Sequence, residues 1–324
     1  GNCSELDDTL HLNSQLKPVV AAAGAGLVTV NSNDTSIDLS TYEGAQFVLA
    51  MDGANVNVVG SDTNDIFDFG AAANVTTDDV INGGSGTDIV RVTADNNATG
   101  AVLDDLVSID TITVQAGTTA THDAKVTVTY TADNTDALTI DATGLTDSSA
   151  AFTFDGSDAQ VKGALTIKSG AGDDTLTGGA GNDVISGNDG NDTIFVSGGN
   201  DIVTGGAGDD AFKITEALMI ANSGTTATFD GGAGTGDSIT FSEDAVINVV
   251  DADFRGFSNV ESVVTGNGVN TIVIGDLAQA AGIVSFTGGT GVDTVTIHEK
   301  VTSFTGGDGI DILTLDAAYD SSVS

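Results

Sequence analysis

Cysteine, proline, tryptophan and basic residues are all scarce in this sequence. It has one Cys, one Pro, no Trp and eight Lys and Arg residues among 324. The single thiol, Cys3, excludes a disulfide within the chain; it is available for pairing between molecules or is simply exposed, and we favour exposure. No segment approaches the roughly 18 apolar residues of a membrane-spanning helix, and no charged region followed by an apolar run indicates a classical signal peptide.

The shortage of basic residues leaves the chain extremely acidic. Asp and Glu number 47, for a formal net charge of −39, and only six of them are Glu, which leaves 41 Asp. Such a surface excludes nucleic acid as a partner. An excess of Asp over Glu indicates turns and cation ligands rather than helices. Disorder is the alternative, but a 40% share of hydrophobic residues argues for buried strands.

The sequence also lacks the patterns of common catalytic centres. The three His residues, His11, His122 and His298, are scattered. His298-Glu299 begins like H-E-x-x-H, but residue 302 is Thr, so the zinc pair is missing. No G-x-S-x-G elbow occurs. We therefore predict no enzymatic activity, and Asp pairs in such a sequence indicate cation ligands or a solvated face.

Residues 169–213 are five uninterrupted nonapeptides. In each, a Gly-rich half leads to an Asp, and an apolar residue follows two places later. The Asp residues are Asp174, Asp183, Asp192, Asp201 and Asp210, and the apolar residues are Leu176, Ile185, Ile194, Val203 and Phe212. This periodicity predicts a coil built by stacking rather than a globular domain.

The residue types of the repeat predict a cation site at each turn. Glycine permits tight turns whose carbonyl oxygens converge, and a very short strand follows each turn. If two nonapeptides make one coil, residues two repeats apart stack at about 4.8 Å. Asp174, Asp192 and Asp210 then line one edge, and Asp183 and Asp201 the other. Carboxylates so close would repel one another, and a hard cation, Ca²⁺, removes that repulsion.

The repeats resemble the G-G-x-G-x-D-x-U-x nonapeptides of the repeats-in-toxin (RTX) family, which form a parallel β-roll with calcium bound between turns. GGAGNDVIS (178–186) and GGAGDDAFK (205–213) match completely. A flexible Gly/Asp linker is the alternative, but a linker has no reason to keep an apolar eighth residue five times. Asn tolerates the left-handed turn and Val does not. The departures are Ser169, Asn188, and Val196 with Ser197, which precede Asp201.

The resemblance implies an all-β chain, a right-handed parallel β-roll or β-solenoid that binds several Ca²⁺ ions. It implies ligands from the sixth-position Asp side chains and from turn carbonyls. The Asp ligands are the five of 169–213 together with Asp293 and Asp311. The glycines of the metal turns are Gly172, Gly178, Gly179, Gly181, Gly187, Gly190, Gly199, Gly205, Gly206, Gly208, Gly288, Gly289, Gly291, Gly306, Gly307 and Gly309.

Degenerate repeats flank this run. GSDTNDIFD (60–68), NVTTDDVIN (74–82) and GGSGTDIVR (83–91) keep the pattern in part. Asp79 and Asp88 have no clear partner two nonapeptides away, so we expect partial or absent calcium there.

Downstream of the run, EALMIANS (216–223) has a helical pattern, and one extra residue in FDGGAGTGDSITF displaces Asp237. Asp293 and Asp311 lie two nonapeptides apart, which predicts a further site.

Four segments follow from these patterns. They are an N-terminal β segment with the run VVAAAGAGLVTV (1–47), a β-solenoid with degenerate repeats (48–168), the calcium-binding β-roll (169–213) and a solenoid continuation (214–324) with repeats at 288–314. Residues 254–324, with FRGFSNVESVVT, look like the solenoid of bacterial surface-layer and related giant RTX proteins.

The predicted function is that of a secreted structural protein, a subunit of a surface-layer or other self-assembling array at a bacterial surface. Its expected partners are copies of itself, in an array or filament, and a cell-surface polysaccharide. The alternatives are a segment of a calcium-dependent adhesin or the non-catalytic part of a hydrolase exported by a type I system. Ice binding by Thr-rich faces is less favoured because no long identical Thr ladder occurs. The end, AAYDSSVS, lacks the apolar tail expected of an export signal, so we expect a fragment or processed piece.

Overall fold

In the computed structural model of the chain, the regular structure of the described residues is mostly short parallel strands. Two compact units, Gly1–Gly170 and Ala171–Ser324, divide the chain, with the boundary inside the first nonapeptide. The residues that the structure describes are 36–40, 48–50, 57–71, 79–94, 101–103, 105–116, 126–130, 137–157, 162–241, 246–298 and 301–316. Cys3, His11, His122 and the run VVAAAGAGLVTV lie outside these residues, as does most of the predicted segment 1–47.

The first unit contains thirteen described strands in parallel sheets. Within this unit the strand orders are β1-β3-β5-β8, β2-β4-β6-β9-β11-β13 and β7-β10-β12. Sequence neighbours therefore alternate between sheets, as expected of a chain that winds in coils. The strands are β1 (Ser36–Asp38), β2 (Val48–Ala50), β3 (Asn57–Val59), β4 (Ile66–Ala71), β5 (Val80–Asn82), β6 (Ile89–Ala94), β7 (Ala101–Leu103), β8 (Asp105–Val107), β9 (Thr111–Ala116), β10 (Val126–Tyr130), β11 (Leu138–Gly144), β12 (Phe152–Asp155) and β13 (Leu165–Lys168).

The second unit winds in the same way. Its strand orders are β14-β16-β18-β20-β23-β25-β27, β15-β17-β19-β22 and β21-β24-β26-β28. The strands are β14 (Thr175–Thr177), β15 (Val184–Asp189), β16 (Thr193–Phe195), β17 (Ile202–Ala207), β18 (Ala211–Ile214), β19 (Thr228–Gly232), β20 (Ser238–Phe241), β21 (Ile247–Val249), β22 (Phe257–Ser258), β23 (Ser262–Val264), β24 (Asn270–Ile274), β25 (Ser285–Thr287), β26 (Thr294–Ile297), β27 (Ser303–Thr305) and β28 (Ile312–Leu315).

The register of the second unit confirms that two nonapeptides make one coil. Leu176 pairs with Ile194 in β14 and β16, and Ile185 pairs with Val203 in β15 and β17. In both pairs the partners are two nonapeptides apart, and both sets of strands are parallel. The predicted parallel β-roll is therefore confirmed.

The eighth residue of each nonapeptide fills the interior of the coil. All five of these side chains, from Leu176 to Phe212, are at most 2% exposed. Their neighbours in the three-residue strands point outward, because successive side chains alternate across a strand. Burial of a side chain of this size stabilises the fold by about 1.5–3 kcal/mol. Each repeat thus contributes its eighth residue to the core, and the stacking of the coils makes the core continuous.

Among the described residues of the second unit, two short helices and a 3₁₀ turn interrupt the coils. The predicted helix is confirmed as α1 (Glu216–Asn222), whose N-cap Thr215 accepts the N–H of Leu218. The 3₁₀ turn is Asp251–Phe254, and α2 (Asp276–Ala281) ends at Gly282 in left-handed geometry. None of the helices in the described residues combines the length and apolarity that crossing a membrane requires.

Candidate metal centre

The sixth-position residues Asp174, Asp192 and Asp210 form a ladder along one turn edge of the second unit. The backbone N–H of each donates to the side-chain carboxylate of the next. Asp174 donates to Oδ1 of Asp192 at 2.8 Å, and Asp192 donates to Oδ1 of Asp210 at 2.8 Å. The ladder then continues past the nonapeptide run, because Asp210 donates to Oδ1 of Asp237 at 2.7 Å and Asp237 to Oε2 of Glu261 at 2.9 Å. The extra residues before Asp237 change its spacing in the sequence, but Asp237 still occupies the next position of the ladder.

The opposite edge carries a shorter ladder. Asp183 donates to Oδ1 of Asp201 at 2.9 Å, so these two are brought together as the spacing predicted. In the next coil, Thr228 N–H bonds to the main-chain carbonyl of Asp201. Ala227, which precedes Thr228, therefore stands where a further Asp would be. This edge ends after two carboxylates.

A third ladder contains the predicted pair Asp293 and Asp311. Asp293 donates its N–H to Oδ1 of Asp311 at 3.0 Å. Asn270 Nδ2 donates to Oδ1 of Asp293 at 2.6 Å. The repeat pattern did not identify Asn270 as a ladder residue, although TGNGVNTIV (265–273) keeps the second and fourth glycines and the eighth apolar residue of the repeat.

The first unit holds a ladder that period counting did not find. Asp65 donates to Oδ1 of Asp88 at 2.7 Å, and Asp88 donates to Oδ2 of Asp110 at 2.7 Å. The separations are 23 and 22 residues, because these coils are longer than two nonapeptides. Asp88 therefore has stacked partners, contrary to the premise on which little calcium was expected there. Asp79, whose partners were also sought two nonapeptides away, is buried as well.

The predicted glycines lie at the turn edges and fall into three groups. A Cβ on a first-position glycine would collide with Oδ2 of the Asp in its own turn; these are Gly178, Gly187, Gly205, Gly288 and Gly306. A Cβ on the next group would collide with a carbonyl of the preceding coil; these are Gly190, Gly199, Gly206, Gly208, Gly289, Gly291, Gly307 and Gly309. Gly172 and Gly181 supply two of those carbonyls, and Gly179 donates its N–H to Asp183 Oδ2 at 2.8 Å.

Val196 does not destroy its turn, although it replaces a glycine. It is 7% exposed, and its N–H bonds to the carbonyl of Lys213 at 2.8 Å. Gly199 keeps positive φ in the same turn, at 128°. The N–H of Asp183 still bonds to Oδ1 of Asp201, so the replacement of glycine by Val196 does not remove Asp201 from its ladder.

Several ladder carboxylates each bury one oxygen that lacks a hydrogen-bond partner. This holds, among the described residues, for Oδ2 of Asp88, Asp192, Asp210, Asp237 and Asp293. Each such oxygen costs free energy in the fold unless a proton or a cation satisfies it. The ion pair of Arg91 with Asp68 and the contact of His298 Nε2 with Asp316 engage none of these five.

The pKa values of ladder carboxyl groups are raised because burial disfavours their charged form. Burial, which disfavours the charged form, raises the pKa above its usual 3.8 to about 8 at Asp192, about 7 at Asp88 and Asp201 and about 6 at Asp210. The carboxylates stacked above and below raise these pKa values further, whereas the accepted backbone N–H lowers them. Burial likewise raises the pKa of Asp237 and Asp293.

The donor set of these edges suits a hard cation. Among the described residues, no group of three or more His, Cys, Asp or Glu side chains converges on one point. The oxygens that converge beside Gly187 are Oδ2 of Asp192 and the main-chain carbonyl of Gly205. Carboxylate and carbonyl oxygens are the ligands of Ca²⁺. The residues therefore fit calcium, with one carboxylate per turn and carbonyls from adjacent coils.

Comparison with family models gives a match to the RTX calcium-binding nonapeptide repeat (4 copies) at residues 76–98, 166–194 and 186–212. These segments cover less than half of the chain. They contain Asp79, Asp88 and the five Asp residues of the nonapeptide run, but neither Asp237 nor the Asp293–Asp311 pair. A search of curated proteins and a search of solved structures found no match.

Proposed function

We propose, from the premise that this is a calcium-binding protein of RTX nonapeptide repeats, that it serves as a secreted structural subunit whose folding and self-assembly depend on calcium. RTX repeat proteins are typically secreted. A surface-layer or similar array at a bacterial surface is the setting that we propose.

The observation that carries this proposal is the set of buried carboxylate oxygens without partners. Asp192 and Asp210 are each 1% exposed, and each leaves Oδ2 unsatisfied. With eight basic residues for 47 acidic ones, the chain cannot neutralise such edges by itself. Ca²⁺ bound between coils removes the repulsion and links each turn to the next. Folding and calcium binding are then one process.

The same charge makes self-assembly dependent on calcium. Neighbouring molecules with a net charge of −39 repel one another unless cations bridge or screen their acidic faces. Magnesium should substitute poorly, because it prefers small octahedral sites and keeps part of its hydration shell. A homo-oligomeric array, with a cell-surface polysaccharide as a further partner, is therefore expected to form in calcium.

Electron microscopy of the purified chain tests the assembly. We expect sheets or filaments in calcium and none in chelator or in magnesium at matched ionic strength. Isolated rods in calcium would overturn the array and favour a segment of an adhesin or the repeat region of a hydrolase. Equal assembly in magnesium alone would overturn specific calcium bridging. Circular dichroism on the same samples separates a failure to assemble from a failure to fold.

A further inference from the structure

In each unit, one Asp ladder reaches a turn that is too short to be a nonapeptide. These are the ladder from Asp174 to Asp237 in the second unit and the ladder of Asp65 and Asp88 in the first. In the second unit this closing turn is Asn259-Val260-Glu261, and in the first unit it is Ser108-Ile109-Asp110. The carboxylate follows the first turn residue after two positions, whereas in the glycine turns Gly205 precedes Asp210 by five. Both closing turns lack the Gly-rich half of the repeat.

The two closing turns nevertheless have the same structure. Ser108 and Asn259 are two of the non-glycine residues with positive φ, at 52° and 51°. The apolar residues that follow them, Ile109 and Val260, are at most 3% exposed. The αL conformation of a polar residue thus replaces the glycine, and the apolar residue anchors the turn in the core.

Their main-chain hydrogen bonds also coincide. The carbonyl of Asp88 accepts the N–H groups of Asp110 and Thr111, at 3.0 and 3.1 Å. The carbonyl of Asp237 accepts those of Glu261 and Ser262, at 2.9 and 3.0 Å. In return, Asp110 and Glu261 accept the N–H of Asp88 and Asp237 through their carboxylates. This hydrogen-bond arrangement occurs in two coils of different length, so it does not depend on one local sequence.

Each closing turn places a carbonyl where the next glycine turn would place one. In a regular coil, a Cβ on Gly187 would meet Oδ2 of Asp192 and the carbonyl of Gly205. At the closing turn of the second unit, a Cβ on Gly231 would meet Oδ2 of Asp237 and the carbonyl of Asn259.

In the first unit, a Cβ on Gly83 would meet Oδ2 of Asp88 and the carbonyl of Ser108. Asp88 and Asp237 are 1% and 0% exposed, and the Oδ2 atom of each has no hydrogen-bond partner among the described residues. At both places, a buried carboxylate oxygen without a partner and a main-chain carbonyl oxygen therefore lie beside the same glycine, each within 2.7 Å of the position that its Cβ would take.

We propose that the two closing turns complete a further cation site in each unit, between Asp237 Oδ2 and the Asn259 carbonyl in one and between Asp88 Oδ2 and the Ser108 carbonyl in the other. The ligand class is a hard divalent cation, Ca²⁺, held by one carboxylate oxygen and main-chain carbonyls. Glu261 and Asp110 are positioning residues, because each fixes the ladder carboxylate through its backbone N–H. The inference rests on the proposed calcium binding of the repeats and adds sites that a spacing of two nonapeptides does not predict.

Anomalous scattering from calcium in crystals of the intact chain tests the two sites directly. We expect peaks about 2.3–2.6 Å from Asp237 Oδ2 and the Asn259 carbonyl, and equivalently at Asp88 and Ser108. Peaks between the regular turns, as beside Gly187, without peaks at the closing turns would overturn the inference. The absence of calcium peaks from all turns would instead overturn the proposed function.

Counting tightly bound calcium by native mass spectrometry is the second measurement. Asp237 lies between Asp210 and the closing turn, as Asp192 lies between Asp174 and Asp210, so Asp237→Asn should bind about two ions fewer than the parent, one of them at the closing turn. Asp88→Asn should lose at least its closing-turn ion. Asp141→Asn is the matched control, because it removes one charge from a side chain that, among the described residues, bonds only to Thr143. With the fold verified by circular dichroism, loss of only the ion shared with Asp210 in Asp237→Asn, or an unchanged count in Asp88→Asn, would overturn that closing-turn site.

Glu261→Gln separates positioning near a cation from a purely structural hydrogen bond. Gln keeps an oxygen that can accept the Asp237 N–H but loses the charge beside the site. Mutation of a residue that supports a metal ligand typically weakens metal affinity by about 10–100-fold. We expect at least about a tenfold loss of calcium affinity at this site, with the melting temperature in saturating calcium retained. Unchanged affinity would assign Glu261 a structural role only.

Discussion

The two turn edges of the central β-roll share one repeat sequence but differ in structure. On the edge of Asp174, Asp192 and Asp210 the ladder runs on to Asp237, and Oδ2 of Asp192 and of Asp210 is buried without a partner. On the opposite edge the ladder has two members, and Oδ2 of Asp183 accepts the N–H of Gly179. The difference shows that a matching repeat does not by itself leave a buried carboxylate oxygen without a partner, and that the length of a ladder depends on which turns stack.

Removal of calcium should have the largest effect, because it acts on both edges together. At about 100-fold its dissociation constant, each bound ion stabilises the folded chain by about 2.7 kcal/mol. We expect excess EDTA to abolish most of the β-sheet circular dichroism and added calcium to restore it. A spectrum and melting temperature that do not change in chelator would contradict calcium-dependent folding.

Single substitutions should then separate the two edges. Asp192 lies between Asp174 and Asp210, so its carboxylate can serve two stacked sites, whereas Asp183 and Asp201 share one. Asp192→Asn should lose about two tightly bound ions and Asp183→Asn about one, with a larger fall in melting temperature for the first at limiting calcium. Equal losses by isothermal titration would mean that stacked turns do not share sites. Because the ladder continues to Asp237, we expect Asp210→Asn to resemble Asp192→Asn.

The pH dependence of the stability of the calcium-free chain should also distinguish Asp192 on one edge from Asp201 on the other. The folded pKa is raised to about 8 at Asp192 and about 7 at Asp201, so the folded state binds these protons more tightly than the unfolded state, where the pKa is near 3.8. Stability should therefore be greatest below pH 4 and be lost as the pH rises through the folded values.

In metal-stripped buffer we expect β-sheet circular dichroism to be regained as the pH falls from 8 towards 4. Asp192→Asn should remove the part of this recovery nearest pH 8. A calcium-free chain that loses structure on mild acidification would contradict the assignment of buried, unpaired carboxyls.

Glycine substitutions should give the smallest and most local effects. Gly206 has φ of 129°, and a Cβ there would collide with the carbonyl of Asn188, whereas a Cβ on Gly198 meets nothing within 4 Å. Gly206→Ala should cost more than about 1 kcal/mol in the free energy of unfolding, and Gly198→Ala should be close to neutral. Equal melting temperatures in saturating calcium would show that the turns are looser than the structure indicates.

Period counting predicted the parts of the site in which each coil is two nonapeptides long. Asp174, Asp192 and Asp210 on one edge, Asp183 and Asp201 on the other, and the Asp293–Asp311 pair all lie as their spacing predicted. Asp237, Glu261, Asn270 and Asp110 were missed as ladder members. Their separations from the preceding or following ladder residue range from 22 to 27, because helix α1 and longer turns lengthen those coils.

The turns, the short strands and the parallel roll could be predicted from the nine-residue period of glycine, Asp and an apolar residue, because each of these depends on residues close in the sequence. Which turns stack on one another could be seen only in the folded chain. A ladder bond forms between residues in adjacent coils, whatever the number of residues between them. Asp88 and Asp237 consequently join ladders across 22 and 27 residues, and only the folded coil shows that their buried oxygens lie beside the same glycine as a carbonyl of the next turn.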